Sequence, residues 1–249
     1  MFFTFPAQER RFCASFMIPL TPRLEAVASL VPHHTMVADI GTDHGYVPVY
    51  LCHHQICPSA IAADIATGPL SAARSHVRAE GLSQRIECRL SDGLTAIEAG
   101  EVDGAIFCGM GGPLIERLLE ASPQVVDSLK YLIVQPQSDV ASVRHYLYAI
   151  GWHITAEKMV LDRHRLYEVI FAEPGRETMP EPWLLDVGPY NWKHRHELIP
   201  RLIEILMEKD RLIYKGLQKS HGDVSLRLDE VRCHMDRLEE LLCQYHSGK

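Results

Sequence analysis

Between residues 17 and 151, short apolar runs alternate with segments whose apolar residues recur every three or four positions. The runs predict strands near 36–40, 60–64, 86–90, 104–108 and 131–135. The periodic segments predict helices near 47–56, 68–80, 112–120 and 138–150. A leading helix opens after Met17, where Thr21 suits an N-cap, Pro22 suits the first turn, and Leu24, Val27, Ala28 and Val31 line one face. Strands separated by helices pair in parallel and are covered on both faces, an α/β architecture.

After Gly151 the period shortens. Extended runs at 152–161 and 166–172 flank the polar turn Asp162-Arg163-His164-Arg165 and predict a β-hairpin. Five parallel strands closed by a terminal hairpin resemble the seven-stranded, Rossmann-like sheet of class I S-adenosylmethionine-dependent methyltransferases. A two-fold dinucleotide domain would continue with strand and crossover instead. A Pro-rich stretch at 174–189 reads as a linker. Beyond it, Leu228, Val231, Met235, Leu238, Leu242 and Tyr245 step by threes and fours like a coiled-coil seam. Leu198, Leu202, Ile205, Leu206, Leu212, Ile213 and Leu217 form a facing stripe, and the break at 220–223 makes the pair an antiparallel helical hairpin. The expected organisation is a leader at 1–16 outside the fold, a methyltransferase-type domain at 17–173, the linker, and a helical domain at 190–249.

Composition adds limits. The chain has 249 residues, 47% of them hydrophobic, enough to bury one large core and carry an appendage. A formal net charge of -7 argues against coating nucleic acid by bulk electrostatics. The charge is uneven, however: between Tyr190 and Lys219 there are seven Lys or Arg against four acids, which fits either a solvated helix face or an RNA contact. Seven cysteines without a C-x-x-C pair fit a reducing, cytoplasmic setting better than a disulfide framework. No apolar run approaches the roughly 20 residues of a membrane helix. Residues 1–16 hold Arg10 and Arg11 mid-segment, with too short an apolar stretch after them for a signal peptide. His53 and Cys57 are spaced to share a helix face beside Cys52 and His54, but no second ligand pair follows at finger spacing. That cluster is read as helix surface, and no metal is expected.

The richest chemistry lies in Val37-Ala38-Asp39-Ile40-Gly41-Thr42-Asp43-His44-Gly45-Tyr46. Gly41 and Gly45 let the backbone turn sharply near a ligand, and Asp39 and Asp43 put carboxylates beside it. A pyrophosphate-binding turn would show G-x-G-x-x-G and has little use for acid. A cofactor with a cationic end, such as S-adenosylmethionine, suits D-x-G-x-x-x-G better. Asp39 is open to two roles, orienting the loop or reaching the cofactor ammonium. Asp64 ends the second strand, where an acid takes ribose hydroxyls or acts as a cap, and Asp92-Gly93 follows the third, near a cofactor adenine or as a simple turn.

Several blocks in order carry a family likeness: L-T-P-R-L from Leu20, A-D-I-G-T-D-H-G-Y from Ala38, Asp92-Gly93, F-C-G-M-G-G from Phe107, L-I-V-Q-P-Q from Leu132, the Gly151-Trp152 pair and L-Y-E-V from Leu166. Together they resemble the bacterial tRNA (adenine(22)-N(1))-methyltransferase family, with motif-level detail over 17–172 and by architecture alone in the helical hairpin. Gln137 and Asp64 stand where that family commonly has Asn and Glu, each keeping its hydrogen-bonding type.

The resemblance implies S-adenosylmethionine as cofactor and tRNA as partner; a monomer is expected, and the residues themselves lead to the expectation of no membrane and no metal. It implies cofactor contacts from Asp39, Gly41, Asp43, Gly45, Tyr46, Asp64, Asp92 and Gly93. Catalysis would fall to Asp43, His44 and the Gly109-Met110-Gly111 turn, which replaces the Asn or Asp, proline and aromatic motif of enzymes that methylate the exocyclic amine of adenine. Gln135, Pro136 and Gln137 at the rim of the sheet would hold the base or cap the next helix, and the excess of positive charge at 190–219 makes Lys193, Arg195 and Arg201 the candidate RNA contacts. Two other functions fit parts of the chain. A small-molecule methyltransferase leaves the basic helix without purpose, and a non-catalytic coiled-coil adaptor has no need of the acids at 39, 43, 64 and 92.

Overall fold

The computed structural model describes residues 19–220 and 223–248, so the leader expected at 1–16 lies outside the described residues. Thr21 caps α1 (Pro22–Ala28), its hydroxyl accepting from Leu24 N–H with Pro22 in the first turn. Strands and helices then alternate through β1 (Val37–Ile40), α2 (Tyr46–His53), β2 (Ala60–Asp64), α3 (Thr67–Ala79), β3 (Ile86–Leu90), β4 (Gly104–Gly111) and α4 (Gly112–Glu120). A short α5 (Pro123–Ser128), β5 (Tyr131–Ser138) and α6 (Val140–Ala149) follow. The antiparallel β6 (Trp152–Asp162) and β7 (Arg165–Pro174) lead into α7 (Pro182–Val187), α8 (Pro189–Lys193), α9 (Ile199–Leu217) and α10 (Ser225–Ser247).

The strands form one seven-stranded sheet in the order β3-β2-β1-β4-β5-β7-β6. The first five are parallel, and β7 runs antiparallel to both β5 and β6. Every residue of β1 and β2 is buried, as central strands covered on both faces require. Alternation splits their side chains between two cores. Ala38, Ile40, Phe107, Leu132 and Val134 pack under α4, α5 and α6, whereas Val37, Ala62, Ile106 and Ile133 pack under α1 and α2. The Rossmann-like sheet and its terminal hairpin are as the sequence predicts.

Four local expectations need correction. The glycine-rich segment after Cys108 is not a bare loop: β4 continues to Gly111 through an irregular register against β5, with Met110 opposite Pro136 and Gly111 opposite Ser138. Cys52 and Cys57 are wholly buried under α2, which ends at His53, so they are core residues and not helix surface. The stretch at 174–189 contains α7, whose Leu185 and Val187 are buried. In the C-terminal hairpin, Ile205 and Leu212 are exposed, and the buried positions are Ile199, Leu202, Ile203, Met207, Val231, Leu238 and Leu241. The reason is that α9 packs on Met159 and Val187 as well as on α10, so its apolar face is rotated from a simple two-helix seam. Asp210 beside His234, and Arg195 beside Tyr245, give the two helices their antiparallel order.

Two polar clusters fasten these layers. Arg144 on α6 is completely buried and donates from Nε to Glu157 at 2.7 Å, from Nη2 to Glu168 at 2.6 Å and from Nη1 to the Leu185 carbonyl at 2.7 Å. His234 on α10 sits between Asp210 at 2.6 Å and Asp186 at 3.1 Å.

Removing one member of the first cluster strands buried charge, so Arg144→Ala should cost about 3–5 kcal/mol in denaturant unfolding. A loss below 1 kcal/mol would show the guanidinium to be dispensable. At the second cluster, the hydrogen bond to Asp186, aided by Asp210 and opposed by burial, raises the His234 pKa from 6.5 to about 9. A raised folded-state pKa gives stabilisation that is complete below about 6.5 and fades as pH climbs through about 9. The Tm of the parent should therefore fall more steeply across that window than the Tm of His234→Gln. Parallel slopes would discard the assignment.

Candidate functional site

The site lies at the carboxyl edge of β1, β2, β4 and β5, where open α/β sheets collect ligands. A cavity of about 250 Å³ is lined there by Arg23, Asp39, Gly41, Thr42, Asp43, Tyr46, Cys108, Gly109 and Gln137, among others. Gly41 leaves β1 at φ +71°, a conformation that favours glycine, and the Met110 side-chain methyl packs where its Cβ would stand. The loop N–H groups of Gly41 and Thr42 bond the Ala63 carbonyl at 2.8 and 3.0 Å, tying the loop to the end of β2.

Asp39 is buried, with one hydrogen bond received from the Thr42 hydroxyl at 2.7 Å. Burial raises its pKa from 3.8 to about 6, with the Thr42 bond pulling down and the charge of Asp64 pushing up. Asp64 is also buried, and its two carboxylate oxygens accept from Ala66 N–H at 2.8 Å and Asp43 N–H at 3.2 Å. Asp43 itself is in the left-handed region at φ +53°, with an exposed carboxylate 3.5 Å from His44 Nε2. His44 holds Tyr46 at 5.6 Å between ring centres, and Tyr46 meets His76 at 5.3 Å, so Tyr46 packs as well as bordering the cavity. Asp92 stays exposed on its turn, 3.6 Å from Arg117, and Gly93 turns there at φ +62°.

Across the sheet, Gln135 is fully buried with both its amide oxygen and its amide nitrogen hydrogen-bonded. Its oxygen accepts from Arg23 Nη1 at 2.8 Å, and its nitrogen donates to the Pro136 carbonyl at 2.8 Å. Gln135, expected to hold the base or cap the next helix, holds Arg23 and the strand end in this structure. Pro136 is buried beside it, whereas Gln137 is exposed and lines the cavity. Arg23 also donates to Cys108 Sγ at 3.0 Å, and burial pushes that thiol up to about 12. The motif L-T-P-R-L contains Arg23, but nothing in one sequence marks it as reaching a strand more than a hundred residues away.

The basic residues expected on one helix are dispersed. Lys193 ends α8, Arg195 lies in the following turn over the Tyr245 ring, and Arg201 on α9 pairs with Glu204 at 3.0 Å. Arg201 lines a second, larger cavity of about 650 Å³ between the sheet edge and the helical hairpin. Gln137 borders both cavities. Among the described residues no group of three His, Cys, Asp or Glu is placed to hold a metal ion, and no helix is long and apolar enough to cross a membrane.

These features fit a cationic cofactor without phosphate. Asp39 and Asp43 line the glycine-bent cradle, Asp64 is hydrogen-bonded to the Asp43 N–H beside it, and Asp39 is a buried carboxylate with a single side-chain hydrogen-bond partner among the described residues. A parallel sheet closed by an inserted antiparallel strand, with this loop after β1, defines a Rossmann-like class I methyltransferase. The methyltransferase-domain family matches residues 20–170.

The chain belongs to the tRNA (adenine(22)-N(1))-methyltransferase family. It is 31% identical over 229 residues to the Bacillus subtilis enzyme of that name, covering 90% of this chain and 96% of the relative. The crystal structure of Bacillus subtilis TrmK superposes with a TM-score of 0.81 at 30% identity, over 90% of this chain and 99% of that one. A Streptococcus pneumoniae structure in complex with S-adenosyl-L-methionine gives 0.81 at 28% identity, over 90% and 100%.

A carboxylate held at about 6 instead of 3.8 costs the folded protein on the order of 3 kcal/mol at neutral pH. Asp39→Asn keeps the acceptor for Thr42 and removes the charge, so it should raise the Tm of the ligand-free protein at pH 7 and change it little near pH 4. A lower Tm at pH 7 would mean that the carboxylate is already compensated.

Proposed function

We propose that this protein transfers the methyl group of S-adenosylmethionine to N1 of an adenine in tRNA, at position 22 as in the named relative. The observation that carries the reading is the buried, single-partnered Asp39 carboxylate in a glycine cradle with no phosphate-binding pattern. Bound there, the cofactor supplies an electrophilic methyl on a sulfonium, and adenine N1 accepts it with its own lone pair, so no base has to remove a proton first.

The residues then have positioning and charge to provide. Asp64, fixed by the N–H groups of Asp43 and Ala66, keeps unused lone pairs for the ribose hydroxyls. Asp39 answers the ammonium of the methionine end, and Gly41, Gly45 and Tyr46 shape the cradle, with Asp92 and Gly93 towards the cofactor adenine. Asp43 offers negative charge where the methylated ring becomes cationic, with His44 steadying it. Gly109, Met110 and Gly111 leave room at the end of β4 for the ring, and the exposed Gln137 amide is the group free to meet its edge.

The tRNA body requires contacts outside this pocket, and Lys193, Arg195 and Arg201 on the helical region are proposed for them. Ile199, Leu202, Ile203, Met207, Leu238 and Leu241 of the hairpin are buried within one chain against Met159 and Val187, which supports a monomer, although Ile205, Leu212 and Leu226 face outward. A tRNA substrate and thiols without a disulfide pattern support a cytoplasmic location.

Purified protein with S-adenosylmethionine should form 1-methyladenosine in tRNA and arrest reverse transcription at position 22. Appearance of N6-methyladenosine instead would sink the reading. Asp64→Ala should weaken cofactor binding by about 1.5–3 kcal/mol, the worth of a charge-assisted hydrogen bond. Unchanged calorimetric affinity would remove Asp64 from the cofactor site.

A further inference from the structure

The arginines of the helical hairpin are largely neutralised. Arg201, Arg211, Arg227, Arg232 and Arg237 each pair with an acid three positions away on the same helix. Two arginines at the mouth of the methyl-transfer site differ. Arg23 and Arg165 make no ion pair with a carboxylate among the described residues, and both guanidiniums lie over the Tyr167 ring, 5.5 and 5.3 Å from its centre. Arg23 is further held by Gln135 and Cys108, and Arg165 donates to the Gln137 carbonyl at 3.1 Å. Two like charges gathered on one ring repel each other unless an anion joins them. The ring offsets part of that cost through cation–π attraction.

Their location identifies the anion. Arg23 lines the small cavity, Arg165 and Tyr167 line the large groove, and Gln137 belongs to both. The carboxylates of the small cavity are Asp39 and Asp43, the two arginines without an acid partner among the described residues meet over Tyr167 where cavity and groove join, and the charges of the groove itself are mixed, Arg201, Lys209 and Arg227 with Asp139, Glu168, Asp186 and Asp210. A ligand matching that division has a neutral head that enters and an anionic backbone that stays outside. A nucleotide within an RNA chain has that form, and guanidinium forks match phosphate oxygens two at a time.

We infer that Arg23, Tyr167 and Arg165 form a clamp for the phosphodiester of the nucleotide being methylated, holding the backbone at the rim while the base passes Gln137. This inference rests on the RNA reading above and adds a binding site to it. Arg23 borders the small cavity, but its guanidinium is drawn over Tyr167 to meet that of Arg165, at the junction with the groove, while Asp39 and Asp43 remain on the cavity side for a cationic cofactor.

The test uses the full chain, a tRNA transcript and S-adenosylmethionine. Filter binding across a salt series gives tRNA affinity, and calorimetry gives cofactor affinity. Arg165 is exposed, so Arg165→Gln should fold normally. It should raise the tRNA Kd about 10-fold and flatten the log–log salt slope by about 0.7–0.9, one phosphate contact. Cofactor affinity should not move. Arg23→Gln should behave alike, Tyr167→Phe should match the parent, and the paired-arginine control Arg232→Gln should change neither reading.

Equal tRNA affinity and salt slope for Arg165→Gln and the parent would overturn the clamp. So would loss of cofactor affinity with tRNA binding intact in Arg23→Gln, which would assign that guanidinium to the cofactor's carboxylate. If Arg23→Gln does not fold, Arg165→Gln decides alone. Failure of the parent to form 1-methyladenosine would strike the proposed function separately, because the binding measurements score the clamp without turnover.

Discussion

The Arg144 guanidinium is the constraint on which the second half of the molecule depends. Its partners come from β6, β7 and α7, and Glu157 also receives the backbone N–H groups of Tyr190 and Asn191 on α8 at 3.0 and 3.1 Å. Gly188, at φ +87°, lies so close that a Cβ would press on Glu157 and Arg144. Buried ion clusters rarely stabilise a fold more than well-packed apolar residues of the same volume would. What this one fixes is registry. A shift of β6 against β7 by one residue would turn Glu157 or Glu168 away from the guanidinium and leave a charge alone in the core. Burial pushes the Glu168 carboxyl up despite Arg144.

The methyl-transfer edge carries its charge differently. Asp39 is retained in a place where a neutral residue would be cheaper, and its neighbour Asp64 makes that worse. Such a residue is explained by what binds, since a cationic ligand turns an unfavourable carboxylate into an attractive one. The same edge separates sign by depth. Asp39 and Asp43 line the inner cavity, Arg23 on its border turns its guanidinium towards Arg165 over Tyr167, and the buried Gln135 ties Arg23 to the end of β5.

Much of the fold could be read from the chain because its strands are short, apolar and set between periodic helices. The spans at 60–64 and 86–90 coincide with β2 and β3, and the acidic glycine loop falls where the motif puts it. What escaped had physical causes. Gly109, Met110 and Gly111 look like loop, yet they extend β4, because an irregular register lets glycines follow a neighbouring strand. Proline at 182 and 189 suggested a connector, but each opens a helix instead. Ile205 and Leu212 fit a seam on paper, while α9 answers to the catalytic sheet as well as to α10. Arg23 and Arg144 gave no local signal, since their partners are brought near only by the complete sheet.

That sheet also carries a consequence for synthesis. Strand β7 sits between β5 and β6, although it is made after both. A chain leaving the ribosome can therefore stack β1 to β5 in order, but β6 has no neighbour to pair with until β7 emerges. Tyr167 lies on β7, so Arg23 and Arg165 cannot meet on its ring before that strand has been made. The cradle for the cofactor can form early in translation, whereas the rim meant for a polyanion closes late. A nascent chain surrounded by ribosomal RNA thus completes its acidic pocket before its cationic mouth.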